Sequence, residues 1–173
     1  MSVDGQHTYF CVRTFDLPVD TQLPQSGGIG IVGKTGIEVR LADARDVEMI
    51  VDLYRSGGWW DEGWDPMGLR ALIAGSFAFA VAIDPAINRA IGMGRVISDG
   101  ISDAYIQDLV VLADYRGQGV GTMILSTLLD YCTSAGVTWV ALVAEPGTEM
   151  FYTRLEFRRI EGHIPTRWHP GER

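Results

Sequence analysis

The chain has 173 residues, of which 14 are Lys or Arg and 22 are Asp or Glu, so its formal net charge is −8. A chain of this length buries roughly two thirds of the surface that its unfolded form exposes, so it needs no disulfide or metal to fold as a single domain. Its two cysteines lie far apart, which excludes a disulfide scaffold and a Cys-x-x-Cys metal site. The acidic balance, with a single lysine, disfavours nucleic acid as a partner.

The N-terminus lacks the basic stretch and continuous apolar core that a secretion signal requires. No apolar run approaches the ~20 residues that are needed to cross a bilayer. We therefore expect a cytoplasmic protein with no membrane partner.

Strand-like and helix-like patterns alternate from residue 37 onward. A strand is predicted at residues 37–41, followed by a helix on which Val47, Ile50, Val51 and Tyr54 share one face. The later predicted elements are a short helix starting at Asp65-Pro66, hairpin strands at 77–83 and 89–97, a strand at 105–112, a helix after residue 121, a strand at 138–144, a short helix at 148–155 and terminal strands at 157–160 and 166–168. This order predicts an α/β fold with a mixed sheet and helices on both faces.

Residues 1–36 stand outside this pattern and are predicted to be an extension or linker before a single domain at residues 37–173. A strand-like stretch at residues 7–15 precedes a segment rich in Pro, Gln, Ser and Gly. We expect this extension to be dispensable for ligand binding. Covering a sheet edge and contributing to a homodimer are the two roles left open for it.

Two glycine-rich segments match phosphate-binding patterns. Residues 28–35 satisfy the P-loop and dinucleotide patterns, but no buried strand precedes them and a strand instead of a helix follows. This context favours a linker over nucleotide binding through Lys34. Residues 116–121 follow a strand and precede a long amphipathic helix, so their backbone N–H groups are suited to hold an anion.

Two motifs resemble the GNAT superfamily of N-acetyltransferases. Residues 116–121 (Arg-Gly-Gln-Gly-Val-Gly) match its Arg/Gln-x-x-Gly-x-Gly signature, and residues 109–111 match its central strand. Residues 151–157 (Phe-Tyr-Thr-Arg-Leu-Glu-Phe) resemble its Phe-Tyr-x-x-Leu-Gly-Phe element, with Glu156 in place of glycine. The resemblance covers about residues 37–160. It implies a mixed, mostly antiparallel sheet with a splayed central strand.

The resemblance also implies acetyl-coenzyme A as co-substrate, with no metal. The pantetheine arm would pair with the backbone of Leu109, Val110 and Val111, and an N–H near Val110 or Val111 would meet the developing oxyanion. The residues implied to hold the pyrophosphate, through their main chain, are Arg116, Gly117, Gln118, Gly119, Val120, Gly121 and Thr122.

The implied reaction is direct attack of a primary amine of a small molecule on the thioester. Tyr152 falls on the motif position of the general acid, with a packing role as its alternative. Asp108 is a candidate base or ammonium ligand, and a plain salt bridge is an equal alternative. Glu145 stands where many relatives have an Asn that contacts the coenzyme, so it adds an acid near the acceptor.

Trp59 and Trp60 fall in a loop that borders the acceptor site of the resembling fold. They are candidates to enclose an amine, with anchoring of the loop as the alternative. His163 and His169 lack the spacing of metal ligands. The alternative function is a non-catalytic acyl-coenzyme A sensor or interaction domain, because a fold does not fix a function.

Overall fold

The computed structural model describes residues 31–32 and 36–168. Its strands are β1 (Ile31–Val32), β2 (Glu38–Leu41), β3 (Ala78–Asp84), β4 (Arg89–Ser98), β5 (Asp103–Val111) and β6 (Trp139–Ala141). Its helices are α1 (Val47–Ser56), α2 (Gly68–Gly75), α3 (Val120–Ser134) and α4 (Glu149–Thr153), with a 3₁₀ turn at Ala113–Tyr115.

The six strands lie in one sheet whose spatial order is also the chain order. Neighbouring strands are antiparallel except β5 and β6, which are parallel and are connected through α3. The predicted α/β class, with a mixed and mostly antiparallel sheet, is confirmed. The β5–β6 pairing covers only residues 103–105 and 139–141, so within the described residues β5 continues to Val111 with that edge unpaired. This is the splayed central strand that the resemblance implied.

The core lies in two layers because successive side chains of a strand point to opposite faces. On β3, Ala80 and Ala82 face the layer that α3 covers, whereas Phe79 and Val81 face the layer that α1 and α2 cover. All four are buried. Cys132 on α3 belongs to the first layer, and burial raises the pKa of its thiol to about 11, so it packs as a neutral residue.

Four predicted elements differ from the observed ones. The helix expected at Asp65 begins at Gly68, because the Asp65 carboxylate first accepts the Met67 N–H at 2.9 Å and closes a turn. β6 is shorter than the predicted strand and half-exposed, because β5 bends away from it after three residue pairs. The terminal strands predicted at 157–160 and 166–168 are wrong. Those residues are largely exposed and have no strand partner among the described residues, and a short strand is not stable without one.

The start of the sheet lies inside the segment expected to be a linker. Ile31 pairs with Val39 and Val32 with Glu38, so β1 covers the outer edge of β2. The strand predicted at 7–15, the rest of the glycine-rich segment 28–35 and His169 lie outside the described residues.

Candidate functional site

A β-bulge marks the middle of β5. Met93 pairs with Val110 and Arg95 with Gln107, so Asp108 and Leu109 on β5 stand opposite Gly94 alone on β4. Asp108 has φ +56°, a left-handed conformation that is uncommon outside glycine. A bulge bends its strand and re-aims the side chains beside it. Here it lies three residues beyond the last pairing of β5 with β6.

The backbone beyond the bulge pairs with β4 along one edge, and its other edge has no strand partner among the described residues. The Leu112 N–H donates to the Ile91 carbonyl at 2.9 Å, toward β4. Because backbone groups alternate in direction along a strand, the N–H of Val110 also faces β4 and that of Val111 faces away. Arg116 Nε donates to the Val111 carbonyl at 2.9 Å, on the edge away from β4. Of the two candidate oxyanion donors, Val111 therefore has its N–H on the open edge.

The loop at residues 116–121, called the glycine loop below, leads directly into α3. Gly117 and Gly119 have φ values of +74° and +84°, which a residue with a side chain adopts only under strain. The Met123 N–H donates back to the Gly119 carbonyl at 3.0 Å. The preceding N–H groups, of residues 120–122, have no acceptor inside the helix and lie at its positive end. The loop therefore fits a bound pyrophosphate.

Side chains of the loop donate to nearby backbone carbonyls. Gln118 donates to the Asp114 carbonyl at 2.8 Å, and Arg116 is held on Val111. The side chain of Val120 is buried in the core. At Gly121, an added Cβ would stand 3.3 Å from the Phe151 ring, so α3 begins in close contact with α4.

A cavity of about 300 Å³ opens where β5 and β6 separate. It brings together five of the predicted site residues, Trp59, Asp108, Leu109, Glu145 and Tyr152. Its other lining residues are Tyr105, Ile106, Gln107, Leu142 and Val143.

The carboxylate of Asp108 is held by two donors that sequence analysis did not assign to the site. The Tyr54 hydroxyl donates to Oδ2 at 2.7 Å, and Arg95 Nε donates to the same oxygen at 2.5 Å. A further guanidinium N–H of Arg95 donates to the Gln107 side chain at 2.7 Å. Burial and the Asp108 carboxylate raise the pKa of Tyr54, so its hydroxyl remains a neutral donor. Asp108 therefore takes part in a salt bridge at the bulge.

Tyr152 reaches the cavity from α4 and is half-buried. Burial raises the pKa of its hydroxyl, and the nearby Glu145 carboxylate raises it further. The rings of Phe151 and Phe157 contact its ring edge-on, with centroids 5.0 and 6.0 Å away. Tyr152 is thus a protonated, positioned phenol at neutral pH.

The two candidate tryptophans lie in different environments. Trp59 lines the cavity, whereas Trp60 does not and is partly buried against the α1–α2 layer. The Trp60 ring contacts Trp64 edge-on at 5.9 Å and lies under the Arg55 guanidinium, also at 5.9 Å. Arg55 in turn binds Glu62 at 2.8 Å. Trp60 therefore anchors the loop.

Among residues 31–32 and 36–168, no helix is long and apolar enough to cross a membrane. Within the same residues, His, Cys, Asp and Glu side chains form no group of three that is suited to a metal ion.

Residues 75–159 match the family model described as the acetyltransferase (GNAT) domain. Residues 75–159 therefore belong to the GNAT superfamily of acetyltransferases. The chain is 31% identical over 83 residues to the uncharacterized N-acetyltransferase ycf52 of Porphyra purpurea, covering 47% of this chain and 48% of that one. The chain thus spans about half the length of the curated relatives it matches first.

Solved structures share the GNAT fold. A GNAT family acetyltransferase from Streptococcus pneumoniae superimposes with a TM-score of 0.66 at 24% identity, covering 79% of this chain and 99% of that one. AAC(6')-Iy, in complex with a bisubstrate analog that contains CoA, superimposes with a TM-score of 0.61 at 18% identity, covering 78% and 99%.

Proposed function

We propose that this GNAT protein transfers an acetyl group from acetyl-coenzyme A to a primary amine of a small molecule. The observation that carries the proposal is the cavity beside the open edge of β5, which holds the half-buried Tyr152. The glycine loop at the start of α3 follows the same strand. The proposed contacts to the coenzyme arm and the acyl group therefore lie on one strand and the loop that follows it, beside the proposed acid Tyr152.

The main chain would hold the donor substrate. The free N–H groups of residues 120–122 suit its pyrophosphate, and the open edge of β5 up to Val111 suits the amide-containing pantetheine arm. The CoA-containing analog bound to AAC(6')-Iy, a protein of the same fold, supports this choice of donor.

The chain's own groups meet the demands of aminolysis. The amine nitrogen attacks the thioester carbonyl, the Val111 N–H donates to the developing oxyanion, and a C–N bond forms as the C–S bond breaks. Tyr152 gives its proton to the departing thiolate, and the nitrogen, which is positively charged after the attack, loses a second proton that restores the tyrosine. The ammonium form of the amine must first lose a proton. Glu145 is the acceptor we propose, because Asp108 is engaged by Arg95 whereas no ion pair of the described residues involves Glu145.

The test combines turnover with binding. The full chain is incubated with acetyl-coenzyme A and a panel of primary amines, and both thiol release and the acetylated amine are measured. We expect equal amounts of free coenzyme A and acetylated product with at least one amine. Calorimetric binding of the coenzyme without acetylation of any amine would instead support the non-catalytic sensor.

A further inference from the structure

We propose that the acceptor is a small amine with one positive charge and a flat apolar body, and that Trp59 selects it by packing on that body. This inference rests on the proposed function and deepens it by naming the substrate class. It assigns Trp59 as the specificity residue and Gly57 as the residue that sets its position.

The charge of the cavity favours a single cation. Among the residues that the structure describes, its lining includes two carboxylates, Asp108 and Glu145, and no Lys, Arg or His. Arg95 binds Asp108 from outside this lining and neutralises it, so Glu145 supplies the one uncompensated charge. A carboxylate without a partner favours an ammonium. Among the lining residues that the structure describes, a phosphorylated amine would meet no cation, and a polyamine would find no second free carboxylate for its second charge.

Part of the remaining wall is apolar and open to solvent. Trp59 is 40% exposed and Val143 59% exposed, and Leu142 and the ring of Tyr105 also line the cavity. Large apolar side chains exposed within a cavity indicate a ligand surface. A flat apolar group that covers the indole gains buried area and ring stacking.

Neighbouring residues fix the position of the Trp59 side chain. Its backbone N–H donates to the Tyr54 carbonyl at 3.0 Å, and its ring meets the Tyr54 ring edge-on with centroids 6.2 Å apart. A Cβ added at Gly57 would stand 2.6–2.9 Å from three atoms of the Trp59 ring. Gly57 has φ −77°, which any residue can adopt, so glycine is needed there for space and not for backbone conformation.

The arrangement also ties Trp59 to the bulge. Tyr54 contacts the Trp59 ring and hydrogen-bonds the Asp108 carboxylate. One side chain thus supports both the apolar wall and the carboxylate of the cavity. Glu145 lines the same cavity as Trp59, so it is the free carboxylate that we assign to the ammonium of a cation whose apolar body lies on Trp59.

The experiment compares three amines: 2-phenylethylamine, 1,4-diaminobutane and glucosamine 6-phosphate. Both kcat/KM and calorimetric affinity, the latter with coenzyme A present, are measured for the parent chain and for Trp59→Ala, Trp59→Phe and Gly57→Ala. Gly68→Ala is the matched control, because its added Cβ meets no atom within 4 Å. Coenzyme affinity of each variant reports whether it is folded.

We expect the parent to prefer 2-phenylethylamine over the other two amines by about tenfold or more, a difference that ring stacking and burial can supply. Trp59→Ala and Gly57→Ala should each weaken its binding about tenfold while coenzyme affinity stays within about twofold. Trp59→Phe should retain most of the preference, and Gly68→Ala all of it. The diamine and the phosphorylated sugar should respond little to any variant.

A preference for the diamine or the phosphorylated sugar would overturn the inference, as would unchanged phenylethylamine affinity in Trp59→Ala. Acetylation of all three amines at similar rates would overturn it and leave the proposed function standing. Trp59-dependent binding of 2-phenylethylamine without any acetylated product would support the site and refute the transferase. Absence of both would overturn the inference, and the wider amine panel would then decide the proposed function.

Discussion

Tyr152 and Glu145 divide the proton transfers of the proposed reaction between two residues that lie at one cavity. A phenol whose pKa is raised holds its proton across the neutral range, which suits an acid and not a base. Glu145 is exposed, and no ion pair among the described residues involves it, so it is the proton acceptor that we propose. The two residues therefore suit opposite roles.

Tyr152→Phe tests the acid directly. It retains the ring and its edge-on contacts with Phe151 and Phe157, so stability and coenzyme affinity should change little. Loss of a positioned general acid should lower the single-turnover rate of acetyl transfer by about 10²- to 10⁴-fold at saturating coenzyme. A rate within about threefold of the parent would show that water or another group protonates the thiolate.

At the residue scale, sequence reasoning placed Tyr152 and Asp108 at the same site because each falls on or beside a local motif. It did not find Tyr54 and Arg95, which reach Asp108 from 54 and 13 residues away in sequence. The periodicity of α1 had assigned Tyr54 to the core, and that is correct for its ring. Only the three-dimensional structure shows that its hydroxyl donates to Asp108.

The joint between β2 and α1 depends on one ion pair. Asp46 is buried at the start of α1, and its two oxygens accept from the Arg40 guanidinium at 2.7 and 2.8 Å. One of them also accepts the Asp43 N–H at 2.9 Å. The carboxylate thus closes the connection between the strand and the helix.

Asp46→Ala should lower the free energy of unfolding by about 3 kcal/mol, because it leaves a partly buried guanidinium and a backbone N–H without their acceptor. Denaturant titration measures this loss, and coenzyme affinity should be unchanged. Asp43→Ala is the control: its pair with Arg45 is exposed and should contribute less than about 1 kcal/mol. Equal effects of the two substitutions would contradict this account of the joint.

At the scale of helices and strands, the sequence predicted an element correctly where its pattern extends over many residues. The hairpin of β3 and β4, the face of α1 and the glycine start of α3 were all predicted and observed. The bulge was not predicted, because a one-residue register shift leaves no periodic signal in a strand. The terminal strands failed for the opposite reason: a short apolar alternation predicts a strand that still needs a partner.

Over the whole molecule, the described part of the sheet buries its two faces separately, and the proposed site lies where the pairing of β5 with β6 stops. Side chains of the separated part of β5 pack into both core layers, Val110 in one and Leu109 and Val111 against the other, while its backbone edge has no strand partner among the described residues. The sequence predicted the splay only through the family resemblance. Composition and periodicity do not determine where two parallel strands part.

The most direct test of this account is thermal unfolding of the full chain with and without acetyl-coenzyme A. At about 100 times its Kd the ligand should stabilise the fold by about 2.7 kcal/mol. For a chain of this size that corresponds to a Tm increase of about 5–10 °C. ATP and NAD at the same concentration should leave Tm unchanged, and Gly119→Val should lose the response to acetyl-coenzyme A, because Gly119 has φ +84° at the loop. A Tm that saturating acetyl-coenzyme A does not move would contradict the assignment of the open edge and the glycine loop as its site.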